Sequence, residues 1–492
     1  MNPRRKDMRQ ERGAQGSITA AVDKPLGKRP LAIVICACCL FVLISSFAFQ
    51  SYVMPQLGAD DLPLSERVRS PKFGDTVGYG LLAEGILQHG ELSRIDGTPI
   101  LKHMPGLPAL LAASFGLFDS PRPFMVFQIL FLFASLYFLL AKIRDGFPAV
   151  ALVGMPILVA LHPQTIKHSA AVMSDLLFGS ILLWVVIVLW KRTPGYREFL
   201  LAGIVFGIAA YVRESALPFM LLTGLAYVLR DCRKFFGPAT VMACAFLVLL
   251  SPWVIRNYTV SEKLIPLTTK SSELFFYSSI PLTTELYSPF GPGLQEGGYD
   301  YARLSGVYRD ELRSKVAGRG GARAYGPDPA GVRQPWPGDP LPDDLSNSWS
   351  DRPVPQNPIR EGLANYLSKP REQLASLSLK SVALFNKPPI LANLSSTSLS
   401  GFLVTANVLF HAFHAGIILF GIALSFSSRN NPFIFLPYWI AGQYLQSLFY
   451  WSEHRYLMPF YPLLILISLT WYWKHWRPRT RKAENSPDAE AA

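Results

Sequence analysis

Apolar residues in this chain gather into long unbroken runs instead of alternating with polar ones. The first run, Leu31 to Phe49, can cross a hydrocarbon core of roughly 30 Å, and Lys24, Lys28 and Arg29 precede it. Its basic leader of about 30 residues is long for a signal peptide and no A-x-A site follows, so a retained anchor is expected. Further runs lie at about 123–141, 147–161, 170–190, 199–212, 216–229, 236–256, 400–426, 432–450 and 456–473. The pattern predicts an all-α polytopic membrane protein of about ten transmembrane helices. Three runs have only about 14 or 15 residues and need a thinned bilayer or snorkelling ends.

Pro105 to Phe118 is also apolar, but Gly and Pro interrupt its start. Charge decides its place. If it does not span, Lys142/Arg144, Lys191/Arg192/Arg197, Arg230/Arg233/Lys234 and Arg429 all share a side with the two basic tails. It is therefore expected to be an interfacial helix, with both termini cytoplasmic. The resulting map has a basic tail at 1–30 and a core at 31–256 that includes a first external loop at 50–122. A long external loop at 257–399, C-terminal spans at 400–473 and a tail at 474–492 complete it. The 301–360 part of the long loop is rich in Pro, Gly, Arg and Asp and reads as irregular surface chain.

Composition agrees with a membrane chain. Half of the 492 residues are apolar and 16% are charged, against about a quarter in a globular protein. The 47 Lys and Arg outnumber the 34 Asp and Glu, giving +13. On the map above, the cytoplasmic segments hold 22 basic and 9 acidic residues, which is the whole excess. The charge reports topology, and no nucleic-acid partner is expected. Cys36, Cys38, Cys39, Cys232 and Cys244 all avoid the external loops, so a disulfide framework is not expected.

The external side collects ionisable residues that packing does not require. Asp75 sits in "SPKFGDTVGYGLLAEGILQHG", before a segment that reads as an amphipathic helix with Val77, Leu81, Leu82, Ile86 and Leu87 on one side. It suits an N-cap as well as a chemical role. Asp175 lies about a turn inside the fourth run, with Lys167 and His168 near in sequence, and reads either as functional or as a buried acid hydrogen-bonded to neighbouring helices. His162, Lys102, His103, Arg256 in "SPWVIRNY", and Glu453, His454 and Arg455 in "WSEHRYLMPFYP" complete the set. An arginine at a helix end is commonly a snorkelling anchor. Together these residues suit transfer of a sugar from a lipid-linked phosphate. The departing phosphate needs cations, and the attacking hydroxyl needs a carboxylate to take its proton. No G-x-G-x-x-G, Walker A loop or soluble D-x-D domain offers a nucleotide-sugar route.

The order and spacing of four patterns resemble the GT-C superfamily of integral-membrane glycosyltransferases, in the bacterial branch related to protein O-mannosyltransferases and lipid A aminoarabinose transferases. The patterns are Asp75 and Tyr79 before a helix, "KHMPGLPALLAASFGLF", "SPWVIRNY" and "EHRYLMPFYPLL". The likeness covers most of 31–260 and 400–475. It implies a glycosyltransferase with a polyprenyl-phosphate-linked sugar as donor and a lipid, glycan or protein as acceptor, working on the outer face of a bacterial inner membrane. By this resemblance Asp75 is the base and Asp175 a second acid, Arg256 and Arg455 hold the donor phosphate, and Lys102, Tyr79 and Glu453 serve substrate binding. Relatives often carry Glu-Lys-Pro where this chain has His103-Met104-Pro105, so a divalent ion (Mg, Mn or Zn) would fall to His103. A transporter or flippase of lipid-linked glycans, and a GT-C-like polymerase or ligase, are the alternatives. Asn257-Tyr258-Thr259 and Asn393-Leu394-Ser395 match the N-glycosylation pattern.

Overall fold

A computed structural model describes residues 26–53, 75–94, 97–171, 173–191, 193–270, 275, 357–368, 370–374, 377, 416–417, 419–424, 434–449 and 454–476. The chain is helical throughout this part, and among the described residues a lone antiparallel bridge, Ser93 to Pro99, replaces any strand. The helices are α1 (Lys28–Ala48), α2 (Asp75–His89), α3 (Gly106–Phe118), α4 (Arg122–Ile143), α5 (Ala149–Leu161), α6 (Pro163–Ala170), α7 (Ser174–Leu189), α8 (Tyr196–Val212), α9 (Ala216–Arg230), α10 (Cys232–Ser261), α11 (Pro358–Ser368), α12 (Leu436–Phe449) and α13 (Tyr461–Trp476). A π-helical turn, Phe49–Val53, prolongs α1, and a 3-10 turn, His454–Phe460, leads into α13.

Nearly every expected run contains a helix, but ten full-length spans are not what the described residues hold. Three stretches are long and apolar enough to cross a membrane: Lys28–Ser51, Arg122–Gly146 and Cys232–Ser261. The pair α5–α6, bent by 56° at His162, is a fourth if it counts as one span. α3, α7 and α9 are apolar but shorter. The run at 400–426 lies mostly outside the described residues. The shortening has a local cause. The expected run at 170–190 is interrupted because α6 ends at Ala170 and the chain is extended at Met173 before α7 begins.

α7 is the axis of the bundle. Every residue from Ser174 to Leu183 is buried, as befits a helix that is apolar all round. It packs against α4, α8 and the 3-10 turn before α13, where Gly179 would bring a Cβ to 3.0 Å from Pro459 Cα. Around it lies an aromatic core that includes Phe199, Phe206, Phe219, Phe246, Phe435, Trp439 and Phe460. Trp439 needs a partner for its indole N–H in such surroundings. It donates to Thr223 Oγ1 at 2.8 Å and to the Phe219 carbonyl at 3.1 Å.

α2 lies against α3, and the face it buries is shifted from the amphipathic one expected. Its buried stripe is Tyr79, Leu82 and Ala83, while Leu87 is exposed. At the opposite end of the bundle, Glu198 accepts from the Gly195 amide at 2.9 Å and pairs with Lys191, which fixes the turn into α8.

α8 and α10 approach so closely that side chains are excluded between them. A Cβ on Gly203 would stand 2.3 Å from the Met242 carbonyl oxygen, and one on Gly207 would stand 2.5 Å from Leu249 Cδ2. Close helix contact through small residues is a membrane habit, because apolar burial gives helices no preference for each other over lipid. Gly203→Ala is expected to lower stability by about 1–3 kcal/mol through overpacking. Gly146→Ala, with nothing within 4 Å of the new Cβ, should leave stability close to wild type. Thermal unfolding of the detergent-solubilised chain checks the pair, and equal losses would refute the close approach.

Candidate functional site

Asp175 enters the first turn of α7, where the helix dipole favours a negative charge. Its side chain is only 1% exposed, so the dipole alone cannot compensate its lost hydration. Two nitrogen-bearing side chains from outside α7 face it. The Arg213 guanidinium, from the turn joining α8 to α9, donates to Asp175 Oδ1. His168 of α6 places Nδ1 3.6 Å from Oδ2, with its own side chain 3% exposed. Arg213 is 20% exposed, so it forms the outer edge of the cluster and the carboxylate its floor.

The end of α6 is held where His168 can reach. A helix that stops inside an apolar bundle leaves its last carbonyls without partners. Two buried glutamines supply donors. Gln128 of α4 donates to the carbonyls of His168, Ser169 and Ala171 at 3.0–3.4 Å, and Gln50 from the π-helical turn donates to that of Ala170 at 2.9 Å. At the other end of α6, His162 Nδ1 accepts from the Gln164 amide at 3.2 Å. The His162 ring lies 4.4 Å from that of buried Tyr461, at the start of α13. A small cavity beside this layer is lined by Asp175, Thr165, Ser180, Met458 and Tyr461, among others.

α2 meets the layer from outside. Tyr79 is buried, with its hydroxyl 3.5 Å from Ser174 Oγ, next to Asp175, and its ring edge-on to His103 at 5.6 Å. α3 follows at once, its start seated on α8. A Cβ at Gly106 would lie 2.6 Å from the Tyr211 carbonyl oxygen, two residues before Arg213.

No family model and no curated protein matches this chain. Among solved structures it is similar to the archaeal oligosaccharyltransferase AglB from Archaeoglobus fulgidus, in complex with an inhibitory peptide and a dolichol-phosphate, at 16% identity and a TM-score of 0.44. The match covers 92% of this chain and 52% of that one. The chain thus spans about half the length of that structure, and a likeness this distant assigns neither fold nor activity.

The residues singled out from the sequence are distributed as follows. Tyr79, His103 and Asp175 are brought together with Ser174, and Lys102 precedes His103, half-buried. Asp75 opens α2 one turn before Tyr79, but its side chain lies outside the described residues. Arg455 belongs to the 3-10 turn before α13 with its side chain likewise outside them, and Glu453 is outside altogether. Arg256 is committed to backbone carbonyls, those of Ile100 at 2.7 Å and Leu92 at 2.8 Å. Asn257 is fully buried and its amide donates to the Ile265 and Leu267 carbonyls, so this first sequon is no acceptor for a glycan. Among the described residues no three His, Cys, Asp or Glu side chains meet in a group that could hold a metal ion, and His103 lies against the Tyr79 ring.

Sequence reading missed Arg213, the principal partner of Asp175. Its signal was present: "AYVRESAL" puts an arginine in a short turn between apolar runs, on the side that the map drawn from the sequence expects to be poor in basic residues. His168 was noted only as a sequence neighbour.

Removing one partner of a buried ion pair leaves the other charge uncompensated, which costs about 3–5 kcal/mol. Asp175→Ala and Arg213→Ala should each destabilise on that scale, with the double variant losing much less than the sum. A double-mutant cycle on thermal or denaturant unfolding measures the coupling, and additive losses would contradict the pairing.

Proposed function

We propose that this chain is a membrane glycosyltransferase that moves a sugar from a polyprenyl-phosphate donor to a hydroxyl on a lipid, glycan or protein acceptor, at the outer face of a bacterial inner membrane with both termini cytoplasmic. One observation carries the reading. Residues from α2, the His103 segment, α6, α7 and the α8–α9 turn converge in one polar layer at a single end of an apolar helical bundle. A lipid-linked donor would bring its sugar to such a layer while its tail stays among the helices.

In this reading the acceptor hydroxyl attacks the anomeric carbon as Asp75 takes its proton. The bond from that carbon to the phosphate oxygen breaks, and the polyprenyl phosphate leaves with the electron pair, inverting the configuration. Asp175 suits a different task. Its carboxylate is already engaged by the Arg213 guanidinium at Oδ1 and faced by His168, a structural commitment that leaves the proton transfer to Asp75 in this reading. It is instead a fixed negative point that orders the site beside Tyr79 and Ser174. Lys102 and Arg455 are the cations this reading assigns to the departing phosphate, and Glu453 and Tyr79 the groups that orient substrate.

A transporter or flippase of lipid-linked glycans is the second reading. The 56° break between α5 and α6 favours it, since discontinuous helices often frame transport sites. The same preparation separates the two, because a transferase makes a new glycosidic bond and a flippase does not.

Asp75→Asn keeps the size of the side chain and removes its charge, so the fold should hold while sugar transfer falls at least about 100-fold, the lower range for general-base catalysis. The assay follows a radiolabelled sugar from polyprenyl phosphate into acceptor in reconstituted membranes. Near-normal turnover of this variant would remove Asp75 as the base.

A further inference from the structure

We infer that Arg256 is a positioning residue, which sets the place of the Lys102–His103 segment by gripping the carbonyls on either side of the small hairpin before it. The inference rests on the transferase reading only for what that segment does, not for the grip itself.

The geometry is that of a clasp at the end of α10. This helix has 30 residues, about 45 Å at the usual rise, against a hydrocarbon core of roughly 30 Å. Its last turns therefore extend beyond the core, into the loops. Three of its residues face two chain segments more than 160 positions apart in sequence. Toward the first segment, Arg256 Nη1 donates to the Ile100 carbonyl at 2.7 Å and Nη2 to that of Leu92 at 2.8 Å. Leu92 and Ile100 are themselves paired, Ile100 N–H to Leu92 O at 3.1 Å, and Arg94 N–H bonds Thr98 O at 2.8 Å within the hairpin. Gly97 makes the turn at a φ of +83°, a conformation that side chains resist. Toward the second segment, Trp253 Nε1 donates to Leu267 O at 2.8 Å, and the Asn257 amide to Ile265 O and Leu267 O at 3.0 and 3.1 Å. The two segments then join directly, Thr269 N–H to Leu101 O at 3.0 Å. Lys102 and His103 follow that bond immediately.

This arrangement uses the guanidinium as a fork. Nη1 also donates to Asn257 Oδ1 at 3.3 Å, so three of the five N–H donors are taken, and Cζ lies 5.1 Å from the centroid of the Trp253 ring. A lysine would keep the charge but not the two-pronged geometry. Beneath the hairpin, the Ser93 carbonyl oxygen would sit 2.1 Å from a Cβ on Gly85, so α2 is pressed onto the segment that Arg256 holds. Arg256 thereby also sets the position of the helix bearing Tyr79.

Hydrogen exchange on the full chain in lipid nanodiscs tests the clasp without any substrate. In the wild type the Ile100 and Thr269 amides should exchange slowly, and fast exchange at either overturns the proposal. In Arg256→Lys, exchange should accelerate at least about tenfold in both 92–101 and 265–269, with the rest of α10 unchanged. Unchanged protection in both segments overturns it. The kinetic arm uses polyprenyl-phosphate sugar as the probe. Arg256→Lys and His103→Ala should each lower kcat, with the double variant no worse than the poorer single, because both act through one segment. Additive losses, or a rise in donor KM in Arg256→Lys with kcat unchanged, overturn the positioning role and return Arg256 to the phosphate. If the wild type transfers no sugar, the transferase reading fails and the exchange arm still decides the clasp.

Discussion

A carboxylate that is 1% exposed inside an apolar helical bundle is the constraint around which this molecule is arranged. Its hydration cannot be recovered from lipid or from aliphatic side chains, so cations must be delivered to it. Arg213 supplies that positive charge from a place where a helix stops, just after α8, and His168 in the last turns of α6 brings a ring nitrogen to 3.6 Å. Stopping a helix in such surroundings strands carbonyls, and two further buried polar residues, Gln50 and Gln128, meet them. One buried acid thus entails a whole layer of polar groups, with the turn after α1, α4, α6, α7 and the α8–α9 turn each contributing a member.

The layer and the Arg256 clasp solve different problems with the same residue type. Arg213 balances a charge. Arg256 has carbonyls as its principal partners, and its value lies in spanning two of them at a fixed separation. Between the two stands Tyr79, reaching Ser174 with its hydroxyl and His103 with its ring. Catalysis of phosphate departure depends on charges and dipoles set in place before the reaction, because reorganising them during it cancels much of the gain. A polar layer braced by buried side chains on one side and a loop held by carbonyl bonds on the other meets that requirement.

Much of the helical order was legible in the apolar runs. The run at 123–141 became Arg122–Ile143, the ambiguous 105–118 became Gly106–Phe118, and a helix does begin at Asp75. Hydropathy failed where polar side chains replaced the usual reasons for a helix to continue or stop. It joined 170 to 190 because no strongly polar side chain marks the break before Met173. It closed the seventh run at 256, although α10 continues to Ser261 with Trp253 and Asn257 bonded to the following chain. The site was half legible. Ionisable residues in apolar runs are conspicuous, so Asp175 was found; its partner lies 38 positions away, and pairing at that range leaves no local pattern. Arg256 stands out in the sequence too, but its carbonyl partners do not, because a carbonyl carries no side-chain identity that a sequence could reveal.

The same physics bears on whether the chain transfers or transports. Alternating access requires one group of helices to rock against another around the bound substrate. Here the polar bonds run across the bundle. Gln50 ties α1 to α6, Gln128 ties α4 to α6, the ion pair ties α7 to α8, and α8 is pressed against α10 with backbone in near contact at Gly203. A rocking movement that divided these helices would have to separate a buried charge pair or strand buried carbonyls. Each such opening leaves polar groups unmatched in an apolar medium, at several kcal/mol apiece. An enzyme that holds its donor still at one end of the bundle incurs none of those costs, so the break at His162 is better understood as the bend that carries His168 to Asp175 than as a hinge for passage.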